Sequence, residues 1–183
     1  MNRFTLSQRV AVLAKLIQAL HKFHSWCGET HIQKAVYFLQ NTGQVPLGYD
    51  YILYKHGPYS FDLAGELGTM RGAGFTELAF PVASYGPSVQ LTGMVQSMLL
   101  TGDEDGNVEA VTPLIEHIAE WFGSKDVRFL ERVATAFYVL QENPAAEPHL
   151  RAERLRRLKP HISEGESISA VHELDEKLST LTH

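Results

Sequence analysis

Gly48-Tyr-Asp-Tyr-Ile-Leu-Tyr-Lys-His-Gly-Pro-Tyr-Ser60 is the stretch on which the fold class turns. Tyr49-Asp-Tyr-Ile-Leu-Tyr54 is rich in aromatic and β-branched residues and lies between Gly48 and Gly57, which predicts a strand. Gly57-Pro58 then pairs a permissive turn residue with a proline suited to the first position of a helix. A helix over residues 58–71 follows, with Phe61, Ala64 and Leu67 on successive turns and Gly72 and Gly74 as its stop.

Upstream, Leu6, Val10, Leu13, Ile17 and Leu20 are spaced as one face of a helix over residues 6–23, and Gly28 is expected to end that stretch. Thr30-His-Ile-Gln33 has the pattern of a capping box, so a second helix is placed at 32–40. Downstream, residues 75–82 and 89–91 form two short strands around an Ala83-Ser-Tyr-Gly-Pro-Ser88 loop. Thr92 can cap a helix running to about Leu100. The order helix, helix, strand, helix, hairpin is that of a winged helix–turn–helix.

Thr101-Gly-Asp-Glu-Asp-Gly-Asn107 is polar and acidic, and marks the expected boundary. Everything beyond it reads as helix. Thr112-Pro113 is a cap with a first-turn proline. Helices are expected at 127–141, at 150–158 and at 163–178, with Asn143-Pro144 as a break. The prediction is therefore an α+β, mostly helical chain. Residues 1–100 form a winged-helix-like module with a small β-hairpin, and residues 107–183 form a helical tail packed on it.

The chain has 183 residues, 44% of them apolar and 20% charged, a balance that excludes a collagenous or wholly disordered chain. Cys27 is the lone cysteine, so no internal disulfide can form. No apolar run approaches membrane-spanning length and no signal peptide is evident, so a cytoplasmic protein without a membrane partner is expected. The net charge of −5 is unevenly split, at +2 for residues 1–92 and −7 for 93–183.

Thr30-His-Ile-Gln-Lys-Ala-Val-Tyr-Phe-Leu-Gln40 and the stretch from Gly48 to Ser60 resemble the YwgA-like bacterial proteins. More distantly, they are similar to SocA-like Panacea antitoxin domains. Leu130-Glu-Arg-Val-Ala-Thr-Ala-Phe-Tyr138 and Leu158-Lys-Pro-His161 are similar to the helical tail of the first group. The resemblance covers most of the chain and implies no catalytic residues. The antitoxin likeness implies a protein that neutralises or delivers a partner, although this chain carries a long helical tail of its own.

Several residue sets are candidates for chemistry. Lys55, His56, Gly57, Pro58, Tyr59 and Ser60 would sit at a helix start, where unpaired N–H groups attract anions or a partner; the bland alternative is a strand-to-helix turn. His21, His24, Cys27 and His31 include soft ligands, but their spacing matches no known zinc finger, and no third group orients a cysteine–histidine pair. Asp103-Glu-Asp-Gly-Asn107 fails as a calcium loop because Val108 and Leu114 occupy positions that need glycine and glutamate. Arg151 to Lys159 holds five basic residues, which are expected to pair with acidic neighbours such as Glu173-Leu-Asp-Glu176 rather than with phosphate. No metal and no cofactor is expected.

DNA binding would use Lys34, Lys55, Arg71, Arg151 and Arg154. Charge opposes it. The 58–71 helix has net charge −1, and residues 75–91 contain no lysine or arginine, with Glu77 their only formal charge. A surface of residues 55–60 with Phe80, Tyr85 and Pro87 suits a protein partner instead, since it is inexpensive to desolvate. The favoured expectation is a non-enzymatic interaction protein, antitoxin-like or adaptor-like. A winged-helix transcriptional regulator is the first alternative, and a small-molecule sensor or an enzyme the next. Self-association into a homo-oligomer is compatible with each.

Overall fold

The computed structural model describes residues 3–82, 86–95 and 106–181. The chain is mostly helical, with two small antiparallel hairpins, which is the α+β class the sequence predicts. It divides into two compact units. Met1–Tyr51 with Ser60–Lys125 form the first, and Ile52–Tyr59 with Asp126–His183 form the second. The division falls at Lys125 and around an eight-residue hairpin, not at the acidic stretch near residue 105. Asn107, expected in a linker, begins a short helix, and Thr101 to Asp105 lie outside the described residues.

In the first unit, α1 (Leu6–Lys22) opens with a reciprocal cap. Gln8 N donates to Thr5 Oγ1 at 3.2 Å, and Thr5 N donates to Gln8 Oε1 at 2.9 Å. Its apolar face buries Leu13, Leu16, Ile17 and Leu20. α2 (Glu29–Thr42) begins before the expected capping box. Gly28 is its N-cap, and Thr30 and Gln33 lie within the first turns. The box does not form because Gln33 is engaged elsewhere: Nε2 donates to Ser60 O and Oε1 accepts from Ser60 N, each at 2.9 Å.

Ser60 in turn caps α3 (Phe61–Gly72), accepting from Leu63 N at 3.2 Å. The helix therefore starts three residues after Pro58. β3 (Thr76–Ala79) pairs with β4 (Ser88–Leu91) in the expected antiparallel hairpin. Thr92 does make a local cap contact, accepting from Met94 N at 3.3 Å, and the helix expected to reach Leu100 lies beyond the described residues after Val95. α4 (Asn107–Ala110) and α5 (Thr112–Phe122) complete the unit. Val111, not Thr112, is the N-cap of α5; the Thr112 hydroxyl donates to Val108 O at 3.1 Å, so it serves the preceding turn. Trp121 and Phe122 meet Phe38 of α2 edge-on, at centroid distances of 5.1 and 5.2 Å.

In the second unit, β1 (Ile52–Tyr54) and β2 (Gly57–Tyr59) form a hairpin with Leu53 opposite Pro58 and Tyr54 opposite Gly57. Proline tolerates this place because its fixed φ is compatible with an extended strand and a two-stranded sheet leaves one edge without ladder demands. Gly57 takes φ +88°, which glycine adopts without strain. Three helices accompany the hairpin: α6 (Val127–Glu142), α7 (Pro148–Leu158) and α8 (Glu164–Leu181). Asp126 caps α6 through Phe129 N at 2.7 Å. Leu130, Val133, Phe137, Leu155, Val171 and Leu174 are buried, and β2 packs on α6. No helix among the described residues is long and apolar enough to cross a membrane.

Candidate interaction site

The two-residue turn Lys55-His56 is the tip of the β1–β2 hairpin, not the strand-to-helix turn expected. Ile52 and Tyr54 project from the hairpin about half exposed, at 49% and 52%. Lys55 and His56 are exposed, Gly57 and Pro58 buried, and Tyr59 half-buried with its ring 5.6 Å from that of Tyr54. Ser60 belongs to the first unit and is buried.

A lysine fixes the turn. Lys159 Nζ, at the end of α7, donates to Tyr54 O at 2.8 Å and to Lys55 O at 2.6 Å. Its charge is balanced by Glu131 of α6, whose Oε1 lies 3.1 Å away, and both side chains are less than a tenth exposed. At that burial each charge depends on the other, since an isolated one would be strongly disfavoured. Two half-exposed imidazoles face the same carboxylate: His161 Nε2 is 3.3 Å from Oε1 and His56 Nδ1 is 3.8 Å from Oε2. Glu131 Oε1 nonetheless receives no well-directed hydrogen bond.

Neither Glu131 nor Lys159 was singled out by the sequence. A trace of Glu131 is visible there, because it interrupts the apolar stripe of α6 between Leu130 and Ala134. Lys159 is the last of the five basic residues, and nothing local separates it from the others.

The remaining candidates are placed as follows. Phe80 is 67% exposed and Pro87 is exposed, both in the first unit; Tyr85 lies outside the described residues. Residues 55–59 belong to the second unit, and Phe80 and Pro87 to the first. The second hairpin is held along its returning strand, from Gly86 to Val89. Trp26 Nε1 donates to Gly86 O at 2.9 Å, Val89 N to Cys27 O at 2.9 Å, and His21 Nε2 lies 2.8 Å from Val89 O.

The histidine–cysteine set is dispersed. His31 is buried with Nε2 2.9 Å from Lys125 O, and His24 is exposed at φ +64°. Burial pushes the Cys27 thiol up to about 12, so it is neutral and a poor nucleophile. No group of three or more His, Cys, Asp or Glu side chains able to hold a metal ion occurs among the described residues.

Of the basic set proposed for DNA, Lys55 and Arg71 are exposed, but Lys34 is buried at 1%. Arg151 is buried too, bound through two nitrogens to Asp175 at 2.7 and 2.6 Å, within the acidic stretch expected to neutralise it. Arg154 pairs with Glu142 at 3.0 and 3.2 Å. Burial removes Lys34 and Arg151 from any phosphate-facing surface.

The chain matches no protein-family model, and comparison with curated proteins gives no significant match.

Proposed function

We propose that the chain is a non-enzymatic protein-interaction module, antitoxin-like or adaptor-like, that engages a partner protein through the β1–β2 hairpin. One observation carries this: exposed Ile52 and Tyr54 stand on a hairpin whose turn carbonyls are fixed by a buried ammonium. A prepositioned aromatic loses little conformational freedom on binding, and tyrosine is enriched at interface centres. Lys55 and His56 beside it add directional polar contacts. The first unit is read as a winged-helix-like module, from the order α1, α2, α3, β3, β4. The absence of lysine and arginine from residues 75–91 favours a protein over a nucleic acid, since phosphate binding draws on those residues.

The test is purification of the tagged full chain from its own host, with and without nuclease, beside a Tyr54→Ala, Lys55→Glu double variant of unchanged melting temperature. A discrete protein that survives nuclease and is lost with the double variant is the expected result. Nucleic acid retained by both proteins, with binding that falls steeply with salt, would replace this reading by the regulator.

A further inference from the structure

We infer that the hairpin turn and Glu131 build a cation site, that the Lys159 ammonium is its resident, and that this ammonium latches the β1–β2 hairpin in place. The inference concerns the same hairpin as the proposed interaction surface but stands without any partner.

Three oxygens converge on Nζ: Tyr54 O at 2.8 Å, Lys55 O at 2.6 Å and Glu131 Oε1 at 3.1 Å. Two carbonyls from adjacent residues, joined by one carboxylate, are the oxygen-rich donor set that holds hard cations in proteins. Adjacent carbonyls aimed at one point repel each other, so the turn needs positive charge between them. The separations suit an ammonium ion, or the potassium ion that resembles it in size, better than the shorter bonds of calcium or magnesium.

The groups facing Glu131 are Lys159, His161 and His56. The imidazoles are half exposed, whereas the Lys159 ammonium is buried beside the carboxylate. Its side chain is supplied from the end of α7, and the hairpin keeps its turn geometry only while α7 is folded against α6. A hairpin of three-residue strands has little stability of its own. Withdrawal of the ammonium therefore frees the hairpin locally and leaves the remaining helices folded.

Hydrogen exchange of the full chain tests this directly. In Lys159→Ala the amides of residues 52–57 and 59 should exchange about tenfold faster than in the parent, while those of α1 and α2 are unchanged. Ammonium or potassium chloride should restore much of the protection in Lys159→Ala. Tetramethylammonium chloride at equal ionic strength should not, because the ion is too large for the site. Lys159→Met should loosen the hairpin without rescue, since its stem fills the space. Parent-like exchange in both variants overturns the latch. Equal rescue by tetramethylammonium overturns the site, leaving only an ionic-strength effect. If Lys159→Ala does not fold, Glu131→Gln decides: faster hairpin exchange in a folded protein supports the latch, and parent-like exchange overturns it. None of these readouts depends on partner capture, so the interaction reading can fail separately.

Discussion

Gln33 grips the backbone of Ser60 at both its polar ends, through two hydrogen bonds of 2.9 Å between groups that are fully buried. The same Ser60 hydroxyl caps α3. One side chain from α2 thus fixes where the next helix starts. Gln33→Leu leaves the buried Ser60 N–H without a partner, while Ser60 O keeps its bond from Ala64 N at 3.1 Å, and should lower unfolding free energy by about 1–3 kcal/mol. Gln33→Glu should be no better, since a carboxylate cannot donate to Ser60 O and brings charge into the core. Urea titration measures both. A Leu variant within about 0.5 kcal/mol of the parent would contradict the assignment.

Gly123 ends α5 against the main chain of α1's last turn. A Cβ there would stand only 2.1 Å from Phe23 O and 2.7 Å from Phe23 Cβ. Backbone cannot swing aside as a side chain can, so Gly123→Ala should destabilise by about 3 kcal/mol. Gly65, in the exposed face of α3, has no atom within 4 Å of its would-be Cβ. Gly65→Ala should stabilise by about 0.5–1 kcal/mol through helix propensity. Thermal melts of the two variants should move in opposite directions.

Cys27 should resist a thiol reagent at pH 8 in the native protein and react once the chain unfolds. Burial raises its folded value to about 12 from 9.0. The unfolded thiol ionises first, so the unfolded state loses protons that the native state keeps. The contribution of Cys27 is constant below about 9 and is lost progressively as pH rises toward about 12. Cys27→Ala should flatten this alkaline loss, which urea titrations across that range detect.

Glu166 should titrate below the ordinary carboxylate range. Its carboxylate accepts from Ser163 N at 3.0 Å and from Ser163 Oγ at 2.7 Å, and Arg132 lies 2.8 Å away. The stabilisation of the α8 start is present above the ordinary carboxylate value and is lost as pH falls through the depressed one. Ser163→Ala should move the Glu166 titration upward, as followed by NMR of the side-chain carboxyl. An unmoved midpoint would show that the Ser163 hydroxyl does not hold the charge, leaving the backbone N–H of residue 163 as the main donor.

Much of the helical framework was legible from periodicity and caps. The boundaries of α1, α6 and α7 fall within a few residues of those predicted, and the β3–β4 hairpin falls where its flanking glycine and proline put it. These features depend on neighbours in the chain. What escaped depends on partners far along it. Thr30-His-Ile-Gln33 satisfies the capping pattern, yet the Gln33 amide finds Ser60, 27 positions away. Pro58 suits a helix start, yet cross-strand pairing with Leu53 holds it in β2. The candidate site was half legible: the Lys55-His56 tip was marked, but Glu131 and Lys159 were not. Lys159 bonds Tyr54 across 105 positions, a distance over which residue spacing carries no signal. The unit boundary escaped for the same reason, since an eight-residue hairpin carries no local mark of the helices it joins.

The chain leaves the first unit at Ile52, returns at Ser60, and leaves again at Asp126. During synthesis, the hairpin strands emerge long before the ammonium that fixes them, because Lys159 lies 104 positions beyond Lys55. At the roughly 5–20 residues added per second in vivo, the turn waits about 5–20 seconds for its lysine. During that interval Ile52 and Tyr54 are carried on an unsupported strand pair, open to chaperones and to a nascent partner alike. A shortened chain ending before α7 would remain in that state permanently.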